Sequence, residues 1–212
     1  MTSIAILGAG RVSANLASKL VEAGHQVTVG TRGAVDNWTG PQVAFASLEQ
    51  AARAGDIVIN ATPGAGSVER LSTLRDVLTG KILIDVANAT VRDDEGRPNG
   101  LLYTDASLAE RIQHALPRTH VVKTLNTMLF TVMTAPRSLA TPPTAFLSGN
   151  DAEAKAAVGD LLSDLGWPKE WIEDLGDITT ARGTEALMLL VPSIVRNRGM
   201  KPFALTIAGS DK

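Results

Sequence analysis

Ser3-Ile4-Ala5-Ile6-Leu7-Gly8-Ala9-Gly10-Arg11-Val12-Ser13-Ala14-Asn15-Leu16-Ala17 is a short apolar run that enters a glycine-rich turn and leaves it in a helical pattern. Gly8 lets the chain turn tightly after the strand. Gly10 carries no Cβ to keep an anion away from the first amides of the helix. Those unpaired N–H groups and the helix dipole attract a pyrophosphate without any charged side chain. The third fingerprint position is Ser13 rather than glycine, still small enough for the helix to pack closely on the strand. A G-x-G pattern alone is weak. Between an N-terminal strand and an amphipathic helix it predicts a dinucleotide site.

Outward from that turn, the first helix is expected over Val12 to Ala23, with Leu16, Leu20 and Val21 toward a sheet and Gly24 as its stop. Gln26–Val29 reads as the second strand, ending in Gly30-Thr31-Arg32-Gly33. A site for the unphosphorylated dinucleotide commonly places Asp or Glu here, and a carboxylate would repel a 2′-phosphate. This chain offers the Thr31 hydroxyl and the Arg32 guanidinium, which can pair with a phosphate and stack on adenine, so NADP is predicted. Ala34 to Pro41 reads as an irregular crossover, and Ser47 caps a helix through Ala52. Asp56–Ala61 is a continuous apolar run, as in a strand covered on both faces. It ends in Thr62-Pro63-Gly64-Ala65-Gly66, at the strand end where open α/β sheets bind ligands.

Lys81–Val86 is the fourth expected strand, followed by Ala87-Asn88-Ala89, where Asn88 either orients a nicotinamide or caps the turn. Val91 to Tyr103 reads as a polar surface loop over the cleft. A helix from Ser107 to Leu116 stops at Pro117, and His120–Leu125 is the fifth strand, ending in Asn126-Thr127-Met128. Beyond it come a strand at Ala145–Ser148, a helix at Asp151–Leu165, an edge strand at Lys169–Ile172, a helix from Thr179 to Val195 bent at Pro192, and a closing strand at Phe203–Ile207. The alternation predicts an α/β, Rossmann-type doubly wound, mainly parallel sheet. Residues 1–150 form its dinucleotide-binding domain, and 151–212 a small C-terminal α/β extension completing the sheet.

The 212 residues are 44% hydrophobic, enough for a sizeable core, and a net charge of -2 argues against a general nucleic-acid surface. The chain has no cysteine, which excludes disulfides and thiolate metal sites. Without a basic leader or a long apolar run, a soluble cytoplasmic protein with no membrane contact is expected. His25, His114 and His120 stand in neither triad nor metal spacing, so neither a metal site nor a catalytic acid or base is nominated. Lys123, alone in an apolar strand, is assigned to an internal ion pair rather than to a carbonyl in the cleft. The remainder after Asn150 is too short for the helical substrate domain of hydroxyacid and imine reductases. A planar redox coenzyme in an open cleft suits it better.

Four stretches together carry a resemblance: the opening turn, Gly30-Thr31-Arg32, Ser107-Leu108-Ala109-Glu110 through Pro117 to Val122-Lys123-Thr124-Leu125-Asn126-Thr127, and Ser148-Gly149-Asn150-Asp151-Ala152-Glu153-Ala154-Lys155. The set resembles the NADP oxidoreductase family that uses the deazaflavin coenzyme F420, and also the cytoplasmic oxidoreductase domain of membrane metalloreductases. It extends to Ala181-Arg182-Gly183-Thr184-Glu185-Ala186 and Arg196-Asn197-Arg198-Gly199-Met200. The resemblance implies reversible hydride transfer between NADP and a deazaflavin stacked in one cleft. It implies dinucleotide contacts from Gly8, Ala9, Gly10, Arg11, Val12, Ser13, Thr31, Arg32, Ala61, Thr62, Pro63, Ala87, Asn88 and Asn126. On the deazaflavin side it implies Thr127, Met128, Leu129, Met188, Met200 and Pro202. Arg182, Arg196, Arg198 and Lys201 suit either an anionic deazaflavin tail or solvated helix charge. The alternatives are an NADPH-dependent reductase of FMN, FAD or a ferric chelate, and an NADP-binding redox sensor without turnover. The apolar C-terminal helix suits a homodimer or internal core.

Overall fold

In a computed structural model, residues 1–33 and 35–209 are described; Ala34, at the head of the expected crossover, lies outside them. The chain runs β1 (Ser3–Leu7), α1 (Arg11–Glu22), β2 (Gln26–Gly30), β3 (Ala44–Ala46), α2 (Leu48–Ala54), β4 (Ile57–Asn60), α3 (Ser67–Ser72), α4 (Arg75–Leu78) and β5 (Ile82–Asp85). It continues through β6 (Thr90–Arg92), β7 (Pro98–Leu101), α5 (Leu108–Ala115), β8 (His120–Lys123), β9 (Ala145–Gly149), α6 (Ala152–Asp164), β10 (Ile172–Asp174), α7 (Ala181–Ala186) and α8 (Val191–Arg198). Eight strands form one sheet in the order β10-β9-β8-β5-β4-β1-β2-β3. Every neighbouring pair is parallel except β8 with β9, so the sheet is mainly parallel, as the alternating pattern predicts.

Successive side chains of a strand point to opposite faces. In β1, Ile4 and Ile6 enter one buried cluster with Leu16 and Leu20 of α1 and with Val158, Leu161 and Leu162 of α6. Ala5 and Leu7 enter the other, with Ala51 and Ala52 of α2 and with Leu108 and Ile112 of α5. β1 lies between β4 and β2: α1 joins β1 to β2 over one face, and α2 joins β3 back to β4 over the other. The carboxyl ends of β1 and β4 are therefore the topological switch point, where such sheets open a crevice.

Four local expectations are corrected. The stretch read as a loop over Val91 to Tyr103 is mostly an antiparallel hairpin, β6–β7, in which Thr90 pairs with Leu101. Its turn is closed by Asp93, whose Oδ1 accepts from the amides of Glu95 at 3.1 Å and Arg97 at 2.8 Å, with Gly96 at φ +76°. The edge strand begins only at Ile172, because Lys169–Trp171 form a 3-10 turn after Pro168. The single helix expected over Thr179 to Val195 is broken: α7 ends at Ala186, Leu187–Leu189 is a 3-10 turn, and α8 starts with Pro192 in its first turn. Proline has no N–H for the i−4 carbonyl and its ring crowds that carbonyl, so the break falls a turn before the residue itself. Phe203–Ile207 does not close the sheet, whose edges are β10 and β3. It crosses Thr127–Leu129 instead, where Leu129 N donates to Phe203 O at 2.9 Å and Leu205 N to Thr127 O at 3.3 Å.

Candidate functional site

At the carboxyl ends of the strands lies a cleft of about 1180 Å³. The turn after β1 forms its floor. Gly8 has φ +110°, and a Cβ there would meet Ala61 O at 2.8 Å. Its amide donates to Gly30 O at 2.8 Å, tying the turn to the end of β2. Gly10 has ordinary extended dihedrals and precedes α1 with no side-chain cap. A Cβ on it would meet nothing within 4 Å, so the space before the first amides of the helix is open to a ligand.

Gly8, Ala9, Gly10, Val12, Thr31, Arg32, Ala61, Thr62, Pro63, Ala87, Asn88 and Asn126 of the expected dinucleotide set all line this cleft. Arg11 and Ser13 do not. Arg11 stacks over the Phe130 ring, 5.4 Å from its centroid, and Ser13 is fully buried in the packing of α1. Thr31 Oγ1 is engaged locally with the backbone of Gly33. Arg32 makes no ion pair among the described residues. At the opposite end Thr127, Met128, Leu129, Met188, Arg196 and Met200 line the cleft. Pro202 is exposed and lies outside the wall, and Arg198 faces a smaller adjoining cavity. Two positions along a helix stand about 200° apart around its axis, so Arg196 and Arg198 address different faces of α8. Arg182 is committed elsewhere: its guanidinium holds Glu110 at 2.6–3.0 Å.

Asn88 and Asn126 hold each other across the cleft. Asn88 Nδ2 donates to Asn126 O at 2.8 Å, and Asn126 Nδ2 donates to Asn88 Oδ1 at 3.0 Å. Leu125, just before, sits at φ +57° with its side chain buried, a left-handed conformation that is costly for leucine and turns Asn126 toward Asn88. Asn126 Oδ1 and Thr127 Oγ1 are buried in the protein without hydrogen-bond partners. Both residues line the cleft, and their orphaned oxygens lack the N–H donors that a ligand could bring.

Beneath the floor runs a buried polar chain. Thr62 Oγ1 donates to Asn60 Oδ1 at 2.6 Å, and Asn60 Nδ2 donates to Asp85 Oδ1 at 2.8 Å. Lys123, fully buried, reaches Asp85 at 2.8 Å, Glu185 at 2.9 Å and the Ala87 carbonyl. The internal ion pair expected of Lys123 is therefore present, with two carboxylates instead of one. Burial alone would lower the lysine's pKa; the two carboxylates outweigh it and hold it above the usual range. Glu185 also accepts from the amides of Leu108 at 2.8 Å and Ala109 at 3.2 Å, capping α5.

Residue spacing assigns nothing between Gly66 and Lys81, yet Arg70 of α3 lines the cleft beside Arg32. Burial, and then the Arg32 charge, hold Arg70 below the usual arginine range, Glu69 pulling the other way. The hairpin adds Arg92, Arg97 and Asn99 to the wall, and Phe203 and Leu205 come from the C-terminal segment. The one sequence signal near Arg70 is the loop of small residues, Thr62-Pro63-Gly64-Ala65-Gly66, that leads into α3.

Residues 3–89 match the family described as NADP oxidoreductase, coenzyme F420-dependent. A crystal structure of a candidate F420-dependent NADP reductase from Arthrobacter sp. FB24 superposes with a TM-score of 0.91 at 38% identity, covering 99% of this chain and 100% of that one. The metalloreductase STEAP3 of Rattus norvegicus is 30% identical over 194 residues, 90% of this chain and 37% of that protein. The F420-dependent NADP reductase of Methanocaldococcus jannaschii is 28% identical over 146 residues, 68% of this chain and 63% of that protein. The chain thus matches less than two thirds of the length of either of these two relatives. No helix among the described residues is long and apolar enough to cross a membrane.

Proposed function

The chain belongs to the coenzyme F420-dependent NADP oxidoreductases, and on that premise we propose that it moves a hydride between NADP(H) and coenzyme F420 in the cleft at the ends of β1 and β4. The observation that carries this reading is one continuous cleft with an anion-seeking end at Gly10 and Arg32 and an apolar end at Met128, Leu129 and Met188. NADPH, when bound, supplies the hydride, and the chemistry of the two rings is their own.

The chain's residues bind and orient. The first amides of α1 hold the pyrophosphate, with Gly8, Ala9 and Val12 shaping the turn. Thr31 and Arg32 hold the 2′-phosphate, which an Asp or Glu at the end of β2 would repel. Ala61, Thr62, Pro63 and Ala87 offer small or backbone surface along the dinucleotide. Asn126 Oδ1 and Thr127 Oγ1 accept from the nicotinamide carboxamide, Asn88 keeping Asn126 in place. Met128, Leu129, Met188 and Met200 exclude water from the second ring, and Arg196 meets an anionic tail. No side chain is asked to move a proton.

The 30% identity with the rat metalloreductase, across an alignment of 90% of the chain, supports a second reading, with FMN, FAD or a ferric chelate as acceptor. Pairing of two copies through the exposed Leu189, Leu190 and Ile207, and a cytoplasmic location, complete the proposal. The deciding experiment mixes the protein anaerobically with NADPH and, separately, F420, FMN, FAD and a ferric chelate, following nicotinamide absorbance. Oxidation with F420 alone is expected. Oxidation only with a flavin or iron selects the second reading, and tight NADPH binding without oxidation by any acceptor leaves a sensor.

A further inference from the structure

We propose that Arg70 is a second guanidinium of the 2′-phosphoadenosine subsite, shared with Arg32, and so a determinant of NADP over NAD. This rests on the NADP reading above and adds a residue to it. Arg70 lies on α3, just after the loop that follows β4, and lines the same cleft as Arg32. Its Nη2 donates to Thr62 Oγ1 at 3.1 Å, to Ala65 O at 3.1 Å, to Ser67 Oγ at 3.2 Å and to the Pro63 carbonyl. One nitrogen thus anchors the group to the loop and fixes its orientation in advance.

The rest of the fork is uncommitted. Nη1 makes no hydrogen bond among the described residues and is the donor left for a ligand, while Nε is buried without a partner. Neither Arg32 nor Arg70 is in an ion pair among the described residues, although Glu69 is the next residue in the chain. The glycine before α3 keeps the space open: a Cβ on Gly66 would come within 2.9 Å of Arg70 Nη1. Two like charges at one end of a cleft, one of them held there by an Nη2 whose two N–H groups lie among four loop oxygens, are a cost that a dianionic phosphate would turn to gain. Arginine suits the task because its fork can keep Nη2 on the loop while Nη1 faces a phosphate oxygen.

The test is calorimetric binding of adenosine 2′,5′-bisphosphate and of 5′-AMP to the full chain and to its Arg70→Gln and Arg70→Lys variants. Gln keeps an amide donor for the loop but no charge; Lys keeps the charge with fewer donors. Arg70→Gln is expected to weaken the bisphosphate about tenfold while 5′-AMP changes less than about twofold, with Arg70→Lys in between. An equal loss for both nucleotides, a larger loss in Lys than in Gln, or no loss would overturn the assignment and show Arg70 as a loop anchor only. If the unaltered chain itself does not prefer the bisphosphate, the NADP reading falls and this inference with it.

Discussion

Gly8 and Gly10 stand two residues apart and need their lack of a side chain for different reasons. Gly8 is a matter of folding: positive φ and the Ala61 carbonyl both exclude a Cβ. Gly10 is a matter of open space, since its dihedrals suit any residue and nothing of the protein fills the room before α1 that the proposed pyrophosphate would take. Gly8→Ala is therefore expected to destabilise the fold by roughly 1–3 kcal/mol, measured by chemical denaturation. Gly10→Ala should leave the denaturation midpoint within the range of an ordinary surface substitution and weaken NADPH at least about tenfold in a fluorescence titration. The opposite pattern would mean that the open space before α1 is not where the pyrophosphate lies.

At the scale of elements, α5 shows how a helix end can carry several roles. Ser107 and Glu110 form a capping box, Glu110 also holds Arg182, and Glu185 caps the same end from α7. The Arg182 hydrogen bonds, helped by the Ser107 amide and hydroxyl, hold the Glu110 carboxyl below the usual range against its partial burial. A lowered folded pKa stabilises fully above the ordinary glutamate value of 4.5 and loses that contribution as pH falls through the lower folded value. Glu110→Gln should be less stable than the parent by about 1 kcal/mol at neutral pH, and the gap should close on acidification in thermal melts at stepped pH. A gap that widened in acid would contradict this. The helix from Ser107 was legible in sequence, while its capping box with Glu110 came with the structure. The breaking of the helix over Thr179 to Val195 was not, because the apolar spacing of Ala186, Leu187, Leu190 and Ile194 continues through Pro192 while the backbone does not.

Across the whole molecule, the chain of Thr62, Asn60, Asp85, Lys123 and Glu185 links the loop after β4, the three neighbouring strands β4, β5 and β8, and the C-terminal α7 beneath one cleft. Removing one member of a buried ionic set leaves the others uncompensated. Lys123→Met is expected to cost ~3–5 kcal/mol in denaturant unfolding, far more than a loss of packing alone, since two carboxylates would remain in the interior. A cost under about 1 kcal/mol would show that water or protonation relieves them. Sequence placed Lys123 in an apolar strand and implied a partner. It could not name two partners, 38 and 62 positions away in the chain, one of them beyond the sixth expected strand.

What the sequence determined by itself is the set of local rules that the chain obeys residue by residue: apolar runs that must be covered, glycines where a strand turns into a helix, an arginine where an acid would admit the other dinucleotide. These are short-range effects of sterics, burial pattern and charge. Which distant side chains share one cavity was decided only by the tertiary structure. The twist of the sheet and the breaks in its C-terminal helices brought Arg70 beside Arg32, set Asn126 against Asn88, turned Arg198 away from the cleft and spent Arg182 on Glu110. Such meetings depend on where elements pack, and no spacing along the chain encodes that.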